Sequence, residues 1–538
     1  MTRGQSPFSR KRGQIIFGFL AAAALAAILP AVPAQAAAPA KVFRYASQID
    51  PGTMDPHALA SLYHTRVIQQ IYESLTGRDE KYRLVPRLAV SWSMADPHAW
   101  RFKLRQGVKF QDGTPFTADD VVFSVERSIA PKSQQHATYP NVTGARKVDD
   151  YTVDILTSQP TPVLPRALTN SRMMSKKWCI EHHVEKPLDF NAKEETFASR
   201  NANGTGPFIL KSWEPDVKTV LVANPNYWGP HGNVAEADFM VVAQAATRLA
   251  GLVSGELDFV VDAGVQDIGR LEKTPGITVG MNEGTGANYL GFDYAHDKLV
   301  YGEAGGRNPF RDLRVRQAIR YALDLKAIQS KVMRGLSSIG SAIFTPVVDG
   351  WDKRFEKVYP YDPDKAKALL REAGYPNGFS VVLDCSSQAP ADALCQAVSG
   401  MLARVDIKVD FQPRTFNVLL PKVLKHDTSF YAIGWTPASV DAEGVLLPLA
   451  HTPKGPGVGE YNFGGYSNPK VDALIDSARV ELDEEKRRSM LTEAMSLIDA
   501  DSGFVPIMYR KIVWVMRSNI KTPVMPNDIV DLRFVNVQ

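Results

Sequence analysis

Apolar and polar positions in the first part of this chain follow the periods of both helices and strands. The apolar positions of segment 61–75 recur with helical spacing, which predicts an amphipathic helix. In segment 100–104 apolar residues alternate with basic ones, which predicts a half-buried strand. Thr117 is followed three residues later by Asp120, as in a capping box, and the apolar residues behind this pair predict a helix that reaches Ile129.

The region from 362 to 435 predicts a regular alternation of helices and strands. The predicted elements are a helix from Asp362-Pro363 to Gly374, strands at 379–385, 407–412 and 430–435, and helices at 390–404 and 416–425. Mostly helical sequence at 472–498 and apolar strand sequence at 505–516 follow. The β-α-β-α-β order indicates a doubly wound α/β sheet, in which ligands bind at the carboxyl ends of the strands. Two such ends lie at 385–388 and at 434–435.

The three cysteines exclude a disulfide-built scaffold and any cysteine-rich metal module. Cys385 ends one predicted strand and Cys395 lies in the second turn of the next helix, so a disulfide between them is possible in an oxidising compartment. The alternative is two buried thiols, which the sequence slightly favours. Cys179 is unpaired in either case.

Composition adds the size class and excludes nucleic acid as a partner. With 538 residues, 44% hydrophobic and 22% charged, the chain is an ordinary globular protein large enough for two or more lobes. The net charge of +4 comes from four basic residues within 1–36, a segment that has no acidic residue. The remainder is neutral, whereas a nucleic-acid-binding protein of this size needs a large basic surface.

Residues 1–36 have the three parts of a secretory signal peptide. A polar segment with Arg10-Lys11-Arg12 precedes the apolar run 15–32, and Ala34-Gln35-Ala36 supplies small residues for cleavage after Ala36. A retained membrane anchor is the alternative, but the A-x-A ending favours cleavage. No cysteine follows the apolar run, so we expect no lipid attachment there. The sequence therefore predicts export to a bacterial periplasm.

A search for chemistry-bearing motifs gives no candidate catalytic residue, no metal site and no cofactor site. The chain has no G-x-S-x-G, H-E-x-x-H, P-loop or G-x-G-x-x-G motif. His182-His183 has acidic neighbours, but adjacent histidines point to different faces, so a solvated loop or helix end is the better interpretation. We therefore expect a protein that is not an enzyme.

Several segments carry a family resemblance. Segments 84–92, 100–110 and 112–124 resemble the family 5 extracellular solute-binding proteins of ABC importers, the dipeptide, oligopeptide, nickel and glutathione class. Further matches in the family's order are at 204–208, 224–228, 290–292, 314–318, 361–363, 374–379, 434–435 and 466–472. The resemblance covers essentially all of 41–538.

The resemblance implies a two-lobed α/β periplasmic binding protein fold of type II, in the large cluster C form. Lobe I would comprise 37–280 plus 506–538, with an extra subdomain at about 80–200, and lobe II would comprise 281–505. Two chain crossings, near Thr285–Leu290 and Val505–Ile507, would form the hinge. Signature residues at 100–124 would stabilise their subdomain and not contact ligand.

The function implied by the resemblance is capture of a peptide-like or other small polar solute between the lobes. The periplasmic protein, a monomer once mature, would deliver the solute to permease subunits in the inner membrane. The alternatives left open are a ligand-presenting receptor subunit or a chaperone on the same scaffold, and a periplasmic hydrolase.

The resemblance also implies where ligand contacts lie. In peptide-binding relatives they come from the segment after an Asp-Pro pair, from the loop after the first strand of lobe II, and from the Gly-Trp strand end. The matching candidates here are Tyr63, His64, Ser387, Gln388, Trp435, Thr436 and Ala438, with Asn288 at the first crossing as a further candidate.

Position 438 bears on the class of solute. The resemblance implies that dipeptide binders have an aspartate there for the ligand's ammonium group, whereas this chain has Ala438. Because a buried ammonium needs a counter-charge, we expect plain dipeptides to bind poorly. Asp441 is the candidate substitute and Glu443 a weaker one. The alternative is that Asp441 is the acidic residue at the start of a helix.

Overall fold

The computed structural model describes residues 41–135, 139, 141–387, 390–437, 439–455 and 457–538. The predicted signal peptide therefore lies outside the described residues. The strands, in chain order, are β1 (Val42–Ser47), β2 (Thr76–Arg78), β3 (Leu84–Pro86), β4 (Ala89–Asp96), β5 (Ala99–Leu104), β6 (Val142–Asp149), β7 (Thr152–Thr157), β8 (Phe208–Glu214), β9 (Lys218–Ala223), β10 (Glu236–Val241), β11 (Phe259–Val260), β12 (Ile277–Phe292), β13 (Gly302–Glu303), β14 (Ser337–Ile339), β15 (Phe379–Ser386), β16 (Ile407–Arg414), β17 (Phe430–Trp435), β18 (Phe504–Arg517), β19 (Ile520–Lys521) and β20 (Asn536–Val537).

Helices lie between these strands along most of the chain. They are α1 (Leu62–Ile71), α2 (Ala118–Ser128), α3 (Leu164–Ala167), α4 (Lys176–Glu181), α5 (Phe197–Arg200), α6 (Ala245–Ser254), α7 (Val265–Leu271), α8 (Leu313–Ala322), α9 (Leu325–Ala327), α10 (Pro363–Glu372), α11 (Ala391–Ala403), α12 (Phe416–Leu424), α13 (Glu443–Ala450), α14 (Pro469–Ala478) and α15 (Glu484–Ala500). Within the described ranges, no helix is both long and apolar enough to cross a bilayer.

A mixed sheet of twelve strands runs through the fold. Its order is β13-β15-β17-β12-β18-β11-β1-β10-β9-β8, with β14 added to β18 and β16 added to β15. The long strands β12 and β18 are antiparallel, and their register runs from Ile277 opposite Arg517 to Gly291 opposite Phe504. Both predicted crossings lie within these two strands. Strand β15 pairs in parallel with both β16 and β17, which confirms the predicted β-α-β-α-β unit.

A separate antiparallel sheet lies within the region 80–200. Its order is β4-β5-β7-β6. Buried Phe102 on β5 and Val153 and Ile155 on β7 form its core with Val121 on α2. Thr117 and Asp120 form the predicted capping box at the start of α2, so the side chains of both residues satisfy backbone groups there. The long signature segment therefore forms a core, as expected.

The predicted helix at 61–75 is four residues too long at its end. Helix α1 ends at Ile71 because Tyr72 is extended, with φ −113° and ψ 141°. The apolar Leu75 belongs to the buried core of the antiparallel sheet, and its carbonyl accepts hydrogen bonds from the backbone N–H groups of Arg87 and Ala89. Tertiary packing of Leu75 thus outweighs the helical spacing, and the chain leaves the helix before 73–78.

The structure joins Cys385 to Cys395 by a disulfide, with the two Cα atoms 6.6 Å apart. This result is contrary to the slight preference for thiols in the sequence. The bridge ties the carboxyl end of β15 to α11. Cys179 is a free, buried thiol.

Candidate functional site

A cavity of about 510 Å³ lies beside α1, and segments from distant parts of the chain line it. This volume is within the usual range for small-molecule sites. The lining comes from α1 and the residues just before it, from 72–87, from 169–172, from 525–533, and from Gln135, Pro207, Thr285, Thr436, Pro437 and Val440. The cavity thus lies between residues predicted for lobe I and residues predicted for lobe II.

Helix α1 supplies one wall. Ser61 precedes the helix in an extended conformation, and its carbonyl accepts hydrogen bonds from both the backbone N–H and the hydroxyl of Thr65, each at 2.9 Å. Val67 and Ile71 are buried in the apolar core. The face that carries His64 and Thr65 is therefore left to border the cavity, together with other α1 residues.

His64 is a neutral, buried group in this wall. Its side chain is 1% exposed, and its Nε2 has no hydrogen-bond partner among the described residues. Burial lowers the pKa of His64 to about 4, against the opposing charge of Asp55. The ring can therefore donate or accept one hydrogen bond in the cavity without carrying charge.

Two ion pairs neutralise much of the charge that lines the cavity. Glu73 pairs with Arg87 and also accepts hydrogen bonds from Tyr227 and from the indole N–H of Trp228, the latter at 2.6 Å. Asp531 likewise pairs with Arg533. The carboxylates of both pairs already have guanidinium partners, so neither is a free counter-charge for a ligand.

Two further arginines line the cavity without such partners. Within the described ranges, no carboxylate lies at ion-pair distance from Arg78 or Arg172. Arg172 donates from Nη1 to the Ser74 hydroxyl at 3.3 Å and to the Thr169 carbonyl at 3.1 Å. Burial lowers the pKa of Arg172 to about 10, which leaves it charged at neutral pH. Neither residue could be predicted from the sequence, because a single arginine in a polar segment is indistinguishable from a surface charge.

Another wall of the cavity comes from the loop after β17. Thr436, Pro437 and Val440 line the cavity, and Thr436 accepts a hydrogen bond of 2.6 Å from Arg510. Trp435 is not part of the lining. Its indole N–H donates to the Gly444 carbonyl at 2.9 Å, and its ring packs against Tyr461.

The other candidate residues are dispersed. Tyr63 accepts a hydrogen bond from Gln48 and lies under Arg66, outside the lining. Asn288 lies on β12 opposite Gly434, and its side-chain oxygen is buried without a partner among the described residues. Ser387 is exposed beyond β15. Gln388 and Ala438 lie outside the described residues. Of the predicted contacts, the structure brings His64 and Thr436 to the cavity.

Asp441 has a partner within the protein. It is fully buried, and its two carboxylate oxygens accept hydrogen bonds of 2.8 and 2.7 Å from Arg487. Oδ1 also accepts from the backbone N–H of Glu443 at the start of α13, the arrangement expected of an acidic residue before a helix. Glu443 itself pairs with Arg487 at 2.7 Å. Neither acid lines the cavity, so this geometry is against either as the ligand's counter-charge.

Known proteins resemble this chain in sequence and in fold. The family model described as bacterial extracellular solute-binding proteins, family 5, matches residues 83–457. Heme-binding protein A of Haemophilus influenzae is 27% identical over 468 residues, which cover 82% of each chain. Glutathione-binding protein GsiB of Escherichia coli strain K12 is 27% identical over 478 residues, which cover 87% of this chain and 89% of GsiB.

Solved structures show the same fold. HbpA2 from Haemophilus parasuis has a TM-score of 0.80 at 23% identity and covers 92% of this chain and 100% of that chain. The periplasmic binding protein DppA from Helicobacter pylori, in complex with the peptide STSA, has a TM-score of 0.70 at 24% identity and covers 92% of this chain and 98% of that chain. The expected two-lobed periplasmic binding protein fold is therefore confirmed. The match to the family model covers more than half of the chain, and the chain therefore belongs to the family 5 bacterial extracellular solute-binding proteins.

Proposed function

We propose that this protein is the periplasmic substrate-binding component of an ABC importer, and that it holds a small, polar, peptide-like solute in the cavity beside α1. The observation that carries the proposal is the lining of this cavity. His64 and Arg78 line one part of it, and Thr285, Thr436 and Val440, from the proposed second lobe, line another. A solute in this position contacts both lobes at once. The named ligands of the relatives, glutathione and heme, and the peptide held by DppA support a small organic solute.

The solute is captured because it contacts both lobes at once only when the lobes are closed. Lobe I comprises 37–280 and 506–538, and lobe II comprises 281–505, with the crossings in β12 and β18. A solute that touches both walls binds the closed form more tightly than the open form and shifts the population toward closure. The closed form is then the one that permease subunits recognise. Hydrolysis of nucleotide takes place in other subunits, and this chain needs no cofactor and performs no covalent chemistry.

Export precedes this role. The segment 1–36 directs secretion and is cleaved after Ala36, which leaves a mature, lipid-free monomer in the periplasm. The family to which the chain belongs is extracellular, which supports this location.

Two measurements on the mature protein test the proposal. Mass spectrometry of small molecules released by mild denaturation of periplasmic material should reveal a stoichiometric solute. Small-angle scattering of the stripped protein should then show a smaller radius of gyration once that solute is returned, with unchanged circular dichroism. A protein that retains no solute, or whose radius is the same with and without it, would contradict the proposal.

A further inference from the structure

The charged side chains that line the cavity carry an excess of positive charge. Two carboxylates, Glu73 and Asp531, line it, and each already pairs with an arginine. Arg78 and Arg172 add two positive charges with no carboxylate partner among the described residues. Desolvated charges without counter-charges are costly, so the cavity favours an anionic occupant.

Arg78 has the more telling geometry of the two. Its Nη1 donates to the Tyr82 carbonyl at 3.3 Å, and its guanidinium lies 5.1 Å from the centre of the Tyr82 ring. Its Nε and Nη2 are buried and have no acceptor within the described part of the chain. Burial lowers the pKa of Arg78 below its usual range, although arginine remains charged at neutral pH. The Nε–Nη2 edge is thus charged, buried and without a hydrogen-bond acceptor in the described part of the chain.

Another arginine of this protein binds a carboxylate through its own Nε–Nη2 edge. Arg101 donates from Nε to Asp154 Oδ1 at 2.8 Å and from Nη2 to Asp154 Oδ2 at 2.9 Å. Two parallel hydrogen bonds of this kind fit the spacing of carboxylate oxygens and are among the strong ones in proteins. Arg78 presents the two donors that Arg101 uses, without an internal acid to receive them.

We propose that the solute carries a carboxylate and that the Nε–Nη2 edge of Arg78 binds it. This inference rests on the proposed function and narrows its solute class to organic acids. Arg172, which is 8% exposed, adds positive charge to the same cavity, and the unpartnered Nε2 of His64 offers one neutral hydrogen bond. The described lining has no free carboxylate for an ammonium group, so the acidic end of the solute is the end that is recognised.

The test uses mature, stripped protein and paired probes. The probes are glutathione, trialanine and glutarate, together with the solutes that co-purify with the wild-type protein. Calorimetry compares the affinity for each acid with the affinity for the analogue in which amides replace its carboxylates. The variants are Arg78→Met, which removes both donors, and Arg78→Lys, which keeps the charge without the paired donors. Arg83→Met is the matched control, because Arg83 is largely exposed and pairs with Asp79 outside the cavity.

The wild-type protein should retain or bind at least one acid and bind its amide much more weakly. Arg78→Met should weaken acid binding by about tenfold to a hundredfold and abolish the preference for the acid over its amide. The affinity of Arg78→Lys for the acid should lie between those of Arg78→Met and the wild type. Arg83→Met should bind the acid as the wild type does. Unliganded Arg78→Met should melt close to the wild type, because the long hydrogen bond that it loses to Tyr82 is offset by removal of two buried donors, Nε and Nη2, that have no acceptor. Equal binding of acid and amide by the wild type, or full affinity in Arg78→Met, would overturn the inference while leaving the proposed function intact. A wild-type protein that binds no solute at all would overturn both.

Discussion

Arg166 on α3 and Asp349 form an ion pair, with Arg166 Nη2 2.5 Å from Asp349 Oδ2. Asp349 also bonds to Arg488 at 2.6 Å, and its backbone pairs with Val440 and with Ala442. Since Val440 lines the cavity, the ion pair links α3 directly to the cavity wall. In the proposed two-lobed arrangement this contact crosses from the extra subdomain to the second lobe, so it stabilises the closed form.

Removal of this contact should make the closed form easier to open. Arg166→Met is expected to raise the dissociation rate of the co-purified solute a few-fold, because a partly exposed ion pair contributes up to about 1 kcal/mol. Stopped-flow displacement measures this rate. The matched control is Arg311→Met, whose partner Asp297 is exposed. Identical dissociation rates in the two variants would show that the contact plays no part in closure.

The local elements of the fold could be predicted from sequence because their signals are local. Asp362 caps α10 by accepting from the backbone N–H of Lys365 at 2.9 Å, as its position before Pro363 indicates. The period of β15 and β17 likewise sufficed to place them as strands. The order of strands in the large sheet was not predictable from these signals, because β12 and β18 pair across more than two hundred residues.

The site was harder to predict because it depends on what surrounds each side chain. Trp435 looked like a ligand wall, but its indole N–H is used by the Gly444 carbonyl. Nothing in the sequence distinguishes Arg78 from an ordinary surface charge, whereas in the structure its buried Nε and Nη2 have no acceptor within the described ranges. Asp441 has a buried partner, Arg487, 46 positions along the chain. No sequence period records such pairings.

The disulfide between Cys385 and Cys395 should stabilise the protein measurably. It closes a short loop of 10 residues separation, for which a chain-entropy estimate gives about 2–3 kcal/mol. Replacement of both cysteines by serine should therefore lower the free energy of unfolding by about this amount. Cys179→Ser, which leaves the bridge intact, is the control for loss of a thiol. Thiol counting on denatured, unreduced protein should give one free group, and three would show that the bridge does not form.

Asp441 should matter for folding and not for solute affinity. Asp441→Asn leaves the buried Arg487 with a weakened partner, and breaking a buried pair costs about 3–5 kcal/mol. Glu443, which also contacts Arg487, keeps the loss at the lower end of this range. Thermal unfolding measures the loss, and calorimetry on the folded protein should give unchanged affinity. The control Asp352→Asn alters a surface pair with Arg354 and should do neither. A fall in affinity without a fall in stability would restore Asp441 as a ligand contact.

Acid should destabilise the protein through two buried histidines. Burial and the nearby Arg127 lower the pKa of His57 to about 3, and burial lowers that of His64 to about 4. The unfolded chain, whose histidines titrate near 6.5, therefore binds more protons than the folded protein between these values. The stability that the neutral histidines allow is complete above pH 6.5 and is lost progressively as the pH falls toward 4.

His64→Gln cannot take up this proton, so its melting temperature should decline less steeply over the same interval. The control His231→Gln, on the surface, should keep the wild-type slope. Equal slopes in all three proteins would mean that His64 takes up its proton alike in the folded and unfolded chain, so that the fold does not hold its ring neutral.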